Sequence, residues 1–261
     1  MKNKIIVTII LSCFIECMSL TSFCKSSATL NAPRRGGFNI SDYRIGGGVG
    51  YGLYLTNQMD YSITTKFGDY KELIPSYFLS VNKQINNSFE FGVEYRHGHL
   101  MTLKSDNMQG TSCDFNDAYA LFDYSLNHNV GMTSSKFTIN YQMGLGFTSF
   151  RSKYFLTNII TEREDKVVSS VGYEGQIISG KDQKNKQLAL IGTLGLNLGY
   201  RLSRNVCIYW SNSINMSTTN KMTGNLYKRS WLPPDNYFFS SLGVYFNLGG
   251  GKQGYLGCPR F

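Results

Sequence analysis

Residues 137 to 148 alternate strictly between two kinds of side chain. The odd-numbered positions, from Phe137 to Phe147, are all apolar or aromatic, whereas the even-numbered positions, from Thr138 to Thr148, are polar or glycine. Successive side chains of a β-strand point to opposite faces, and the 3.6-residue period of a helix would mix the two sets. The pattern therefore predicts a strand with one apolar face.

Similar alternation recurs along the chain and predicts an all-β fold. The predicted connections alternate between short and long, as in an up-and-down transmembrane β-barrel. The short ones are 85–87, 131–134 and 204–205, and the longer polar ones are 57–71, 105–114, 156–186 and 220–235. A ten-strand alternative stays open, in which 58–67 or part of 156–186 forms a further hairpin. The eight predicted antiparallel strands are 43–56, 72–84, 88–104, 115–130, 135–155, 187–203, 206–219 and 236–249.

The composition of the polar face distinguishes a transmembrane barrel from a soluble β-sandwich. It is dominated by Gly, Ser, Asn and Thr, which suit the narrow interior of a small barrel. The large apolar residues then face outward, as contact with lipid requires. Beyond residue 28 no apolar run approaches the ~18 residues of a spanning helix.

The N-terminus predicts export. Lys2 and Lys4 precede an apolar run, and small residues end at Ala28, as in a signal peptide. A lipoprotein cut before Cys24 is the alternative, but Phe23 is bulky where that site needs a small residue. We therefore expect an integral protein of a bacterial outer membrane. Its predicted parts are a signal peptide (1–28), a periplasmic N-terminal segment (29–42), a barrel (43–249) and a periplasmic C-terminal tail (250–261).

Net charge and cysteine content limit the classes of partner and ligand that the sequence supports. The formal net charge is +9, which for an exported chain favours contact with anionic lipid and lipopolysaccharide over nucleic acid. Outside the signal peptide the chain has three cysteines, an odd number without metal-ligand spacing. Whether Cys207 and Cys258 pair is left open.

Two further sets of residues follow from strand parity. Aromatic residues on the outward parity predict an interfacial girdle, because their rings are apolar and their tips polar. Charged residues on the inward parity predict a salt-bridge and hydrogen-bond plug, unless some lie hydrated at the mouths. The girdle set is Tyr43, Tyr51, Tyr95, Tyr124, Tyr200 and Trp210, and the lumen set is Arg44, Glu90, Glu94, Arg96, Asp123 and Arg201.

The sequence resembles the small outer-membrane barrels related to the N-terminal domain of outer membrane protein A, especially those of Bacteroidetes. The resemblance rests on the Gly-rich stretch 44–52, the stretch 144–147, the turn 200–205 and the closing strand 241–249. It implies an eight-stranded barrel of a Gram-negative cell envelope. The periplasmic peptidoglycan-binding domain of full-length relatives is not implied.

Catalytic chemistry finds little support in the sequence. His97 and His99 share a strand face, but a metal would need further ligands. The stretch Tyr209–Ser213 resembles the His-x-Ser-Asn stretch of the outer-membrane lipid A deacylase, with Tyr209 in place of the catalytic His, so Ser211 lacks a base. We therefore expect no catalytic residues, no metal and no cofactor.

The sequence is consistent with three functional hypotheses. The first is a structural, adhesive or interaction barrel without an open pore, whose outer loops, chiefly 156–186, contact lipopolysaccharide or proteins. Loop 156–186 could equally be mobile filler. The second is a subunit of an envelope assembly, such as a secretion or gliding complex, contacted through the tail 250–261. The third is a lipid A-modifying barrel enzyme.

A gel of the membrane fraction with and without boiling tests the barrel. We expect a heat-dependent mobility shift and resistance to carbonate extraction, because a closed barrel stays folded in detergent until it is heated. A single mobility with release into the soluble fraction would indicate a secreted β-sandwich instead.

Overall fold

A computed structural model provides the structure of the protein. The ranges 1–28, 29–42 and 250–261 of the predicted signal peptide, N-terminal segment and tail lie outside the described residues. Those residues are 43–55, 74–86, 88–104, 109–126, 136–157, 164–173, 181–183, 185–203, 205–226 and 234–248. No helix among them is long and apolar enough to cross a membrane.

The described residues form ten strands in one sheet. Eight of them correspond to the predicted strands, and the other two lie within the predicted loop 156–186. In chain order the strands are β1 (Tyr43–Tyr54), β2 (Pro75–Gln84), β3 (Phe89–Lys104), β4 (Gln109–Ser125), β5 (Phe137–Thr157), β6 (Glu164–Val171), β7 (Lys181–Gln183), β8 (Gln187–Arg201), β9 (Val206–Ser217) and β10 (Asn236–Asn247).

Eight of these strands close into an antiparallel barrel, as expected. The ring runs β1-β2-β3-β4-β5-β8-β9-β10, and β10 pairs with β1 from Asn247 opposite Arg44 to Tyr237 opposite Tyr54. The ten-strand barrel is wrong. β6 pairs with the last residues of β5, and β7 adds to β6 in parallel, so both strands lie outside the ring and form no hairpin with each other.

The barrel has two unlike ends. The turn end, near Tyr43 and Arg201, has short connections after β2 and β8. The loop end, near Tyr54 and Ser217, has the long connections after β1, β5 and β9. At the turn end, Asn86 Oδ1 accepts hydrogen bonds from the backbone nitrogens of Ser88 and Phe89, both at 2.9 Å, which closes the tight turn.

The predicted connections beside β4 need correction. The segment 105–114 is not one loop, because β3 and β4 stay paired as far as Lys104 opposite Gln109. The polar residues from Gln109 to Asp114 pair with β3 and so do not interrupt the ladder. At the other end β4 ends at Ser125 and β5 begins at Phe137, and the predicted turn 131–134 lies outside the described residues.

The outer wall of the barrel is apolar and exposed. Val49, Leu145 and Leu190 are 63%, 76% and 54% exposed, and they lie on different strands of the ring. A wall of such residues around a closed barrel with a polar lining is the architecture of proteins that span the outer membrane. The chain is therefore an integral β-barrel of the outer-membrane type.

The interior contains more than small residues. Large aromatic rings fill its loop-end half, whereas the sequence pattern predicts a lumen lined by small polar residues. Glycines make room for some inward rings, since a methyl group at Gly46 would collide with the ring of Tyr245, and one at Gly98 with Phe115. The buried rings are Tyr54, Phe115, Tyr119, Phe150, Tyr237 and Phe239.

A charge on the wall tests its contact with lipid. Leu145→Arg is expected to lower the free energy of unfolding in lipid vesicles by about 2–4 kcal/mol, because an arginine near the bilayer midplane loses its hydration. Leu202→Arg, just past β8 at the turn end, is the matched control and should cost about 0–1 kcal/mol. Urea titration followed by tryptophan fluorescence measures both. Equal costs at the two positions would contradict a lipid-facing wall.

Candidate functional site

Arg44 is the centre of a buried polar cluster at the turn end of the lumen. Its Nη2 lies 2.5 Å from Glu90 Oε2 and 3.8 Å from Asp123 Oδ2. Its Nη1 donates a hydrogen bond of 2.9 Å to the Tyr209 hydroxyl, and its guanidinium carbon lies 4.5 Å from the centre of the Tyr245 ring. Strand parity places these side chains on one face, and barrel closure brings them across the lumen.

Arg96 forms a second cluster midway along the lumen. Its Nε donates to Glu94 Oε1 at 2.5 Å, and its Nη1 donates to Ser213 Oγ at 3.1 Å and Asn215 Oδ1 at 3.0 Å. The guanidinium also lies 4.8 Å from the ring centres of both Tyr119 and Phe239. Arg96 is only 1% exposed. Its hydrogen bonds to Ser213 and Asn215 link β3 to β9 across the lumen.

Asp117 is an inward charge outside the predicted lumen set. It is fully buried, lies opposite Arg96 in the β3–β4 register, and accepts hydrogen bonds through Oδ2 from the hydroxyls of Tyr119 (2.8 Å) and Tyr237. Its parity is the same as that of Asp123, and this signal could have identified it.

Arg201 does not join either cluster through a described ion pair. It lies at the turn end of β8, and its Nη2 is buried without a hydrogen-bond partner among the described residues. The lumen charges therefore form two groups, with Glu90 and Asp123 around Arg44 and with Glu94 beside Arg96.

The aromatic residues chosen for a girdle lie at several heights on the outer wall. Tyr124 and Tyr200 lie near the turn end, where their rings contact Phe89 and Phe137 at centroid distances of 5.0 and 4.9 Å. Tyr43 lies at the same end, under the Lys83 ammonium. The other three lie farther along their strands and are partly exposed: Tyr51 (38%), Tyr95 (41%) and Trp210 (51%).

A different polar cluster lies on the outward face of β3 and β4 near the loop end. His99 Nδ1 lies 2.5 Å from Asp114 Oδ1, and Ser112 Oγ lies 3.0 Å from His99 Nε2. The Tyr173 hydroxyl donates to the other oxygen of Asp114, Oδ2, at 2.7 Å. We call these four residues the outer cluster. Its serine, histidine and carboxylate stand in the order of a hydrogen-bond relay that could move a proton.

The sequence does not predict the outer cluster, because the polar residues of 105–114 predict a loop. In a loop, Ser112 and Asp114 have no fixed partner, whereas the extended β3–β4 register places Asp114 directly opposite His99. His97 has other contacts, since its Nδ1 lies 2.9 Å from Asn116 Oδ1. Within the described ranges, no group of three or more His, Cys, Asp or Glu side chains could hold a metal ion.

Tyr209 and Ser211 belong to the lumen wall. Tyr209 is 3% exposed and accepts its hydrogen bond from Arg44. Ser211 lies opposite Ser241 in the β9–β10 register and so shares its inward face. The likeness of this stretch to a deacylase motif therefore concerns residues inside the barrel.

Comparison with known proteins yields likeness in structure only. The chain matches no protein-family profile and no curated protein. Neisserial surface protein A is 12% identical over 79% of this chain and 97% of its own, with a TM-score of 0.44. The attachment invasion locus protein of Yersinia pestis is 10% identical over 78% and 96%, with a TM-score of 0.41. The N-terminal barrel of Pseudomonas aeruginosa OprF is 13% identical over 78% and 96%, with a TM-score of 0.39.

Removal of one partner from a buried pair tests the Arg96 cluster. Arg96→Met is expected to lower the free energy of unfolding by about 3–5 kcal/mol, because Glu94 and Asp117 would stay buried without a cation. The double variant with Glu94→Gln should regain part of the loss, which urea titration of both single variants and the double variant measures. Additive losses would show that the two side chains are not coupled.

Proposed function

We propose that the protein is a non-porous outer-membrane barrel, related to the outer membrane protein A barrels, with a structural or adhesive role. Its loop end would face outward and contact lipopolysaccharide or other anionic surfaces. The observation that carries the proposal is that side chains of the barrel itself pack its lumen. The loop end is then the surface at which the protein can contact other molecules.

A segment of the β9–β10 connection fills the loop end of the lumen. Met222 is fully buried among the inward rings, and its carbonyl accepts a hydrogen bond of 2.7 Å from the Tyr54 hydroxyl. The next residue, Thr223, donates its backbone N–H to Asp235 Oδ2 at 3.0 Å. With Arg96 and its partners below, this segment leaves the narrow interior packed, as an eight-stranded barrel allows.

The loop end also carries a basic patch, which we define as Arg151, Lys153, Lys166 and Lys186. Arg151 and Lys153 lie 6.0 and 5.2 Å from the ring centre of Tyr173. Lys186 is exposed and lies beside Gly172, the neighbour of Tyr173, and Lys166 is exposed on β6. Cations held near a membrane surface bind phosphate groups of anionic lipid.

Solute flux tests the filled lumen. Liposomes that contain the purified, heat-modifiable protein are expected to exclude small sugars at the rate of empty liposomes, because Arg96 and Met222 occupy the interior. Liposomes with a known porin provide the positive control. Sugar entry that depends on the amount of this protein would contradict a non-porous barrel.

Charge reversal tests the loop end as the contact surface. The double variant Lys166→Glu/Lys186→Glu is expected to weaken binding to immobilised lipopolysaccharide at least about tenfold, since each cation near an anionic surface contributes about 1 kcal/mol. Lys83→Glu/Lys136→Glu reverses two exposed charges at the turn end and should bind like the wild type. Equal losses in the two variants would instead indicate non-specific attraction.

A further inference from the structure

We propose that Ser112, His99 and Asp114 are the nucleophile, base and orienting carboxylate of a serine acyl hydrolase. Its substrates would be fatty-acyl esters of phosphate-bearing lipids that reach the outward face of the barrel. This activity goes beyond the interaction role proposed above and does not depend on it.

The hydrogen bonds place each group in its role. The Asp114 carboxylate only accepts, so the contact of 2.5 Å places the proton of a neutral His99 on Nδ1. The lone pair on Nε2 is then free to accept the Ser112 hydroxyl proton at 3.0 Å. A nucleophile within reach of a base that a third group orients is the geometry by which serine hydrolases are recognised, whatever their fold.

The three side chains are held on paired strands. His99 and Asp114 are directly opposite in the β3–β4 register, and Ser112 lies two residues before Asp114 on the same face. Tyr173 fixes the second carboxylate oxygen at 2.7 Å. Ser112 is 8% exposed, whereas the side chains of His99 and Asp114 are 24% and 43% exposed, so the nucleophile lies at the floor of the cluster. Strand-held groups keep the geometry that catalysis needs.

Two cations lie on the next strand. Lys153 is the register partner of Ser112, and Arg151 is the register partner of Asp114, both on β5. Directly opposite residues share a face and lie within about 5.5 Å at Cβ. Lys153 is therefore placed to stabilise negative charge that develops beside Ser112, and Arg151 to bind a phosphate group of the substrate.

The position on the wall indicates a lipid substrate. His99 shares its face with Val93 and Tyr95, which are 55% and 41% exposed on the apolar wall of β3. The cluster lies beyond them, toward the loop end. A lipid whose chains follow this wall would bring its ester carbonyl near the level of Ser112, with its phosphate near the cations.

The reaction balances without a cofactor. Ser112 Oγ attacks the ester carbonyl carbon while its proton passes to His99 Nε2, and the carbonyl oxygen takes the electron pair. Collapse of this intermediate breaks the bond to the alcohol oxygen, which takes the proton from Nε2. Water then attacks the acyl-serine by the same route, so that one ester and one water yield an alcohol and a fatty acid.

A fluorophosphonate probe on the full chain in detergent tests the nucleophile. Only an activated serine displaces fluoride readily, so we expect a covalent adduct on Ser112, located by mass spectrometry. Asp114→Asn should slow labelling at least about 100-fold, because the imidazole loses its orientation. Ser88→Ala, at the turn end, should label as the wild type does, and heat-dependent mobility shows which variants are folded.

An assay with lipid vesicles identifies which ester is the substrate. Release of fatty acid from phosphatidylglycerol or from lipid A, lost in Ser112→Ala, would support hydrolysis and distinguish a glycerophospholipid from a lipid A substrate. An unlabelled Ser112 in folded wild-type protein would overturn the proposal, and the cluster would then only brace the β3–β4 hairpin. Because probe labelling needs no lipopolysaccharide, this failure is distinguishable from loss of the binding role.

Discussion

Closure of the sheet is the constraint on which the rest of the structure depends. In a bilayer no water is available to the backbone, so each N–H and C=O must find a partner within the protein. Pairing of β10 with β1 from Asn247 opposite Arg44 to Tyr237 opposite Tyr54 removes both edges that an open sheet would expose. Side-chain direction follows from this closure, because alternate residues must then face either lipid or a narrow lumen.

The narrow lumen decides how its charges are arranged. Arg44 and Arg96 are 3% and 1% exposed, so each needs a carboxylate and hydrogen-bond acceptors at close range. Both also lie against aromatic rings, which suit a weakly hydrated guanidinium better than an ammonium. The side chains that satisfy these charges also pack the interior, so the burial of the charges and the packing of the lumen are linked.

The loop end differs from the lumen because three neighbouring strands extend there together. There β3, β4 and β5 run on together, from Lys104 opposite Gln109 and from Gln109 opposite Leu156. Strands that continue in this way hold polar side chains as firmly as apolar ones. The extension carries the three strand-held residues of the outer cluster, together with Arg151 and Lys153 of the basic patch, and the side chains of His99 and Asp114 are partly exposed there.

Alternation in the sequence determined the all-β barrel, the eight ring strands and the inward parity of Arg44 and Arg96, because parity is a local property of extended chain. It did not determine where β4 begins, since polar residues such as Ser112 and Asp114 have no local preference for a strand. Only the tertiary structure decided that Asp114 lies opposite His99, that Asp117 lies opposite Arg96, and that Met222 enters the lumen. These contacts depend on register between strands and on a connection that folds inward, and neither has a local signal in the chain.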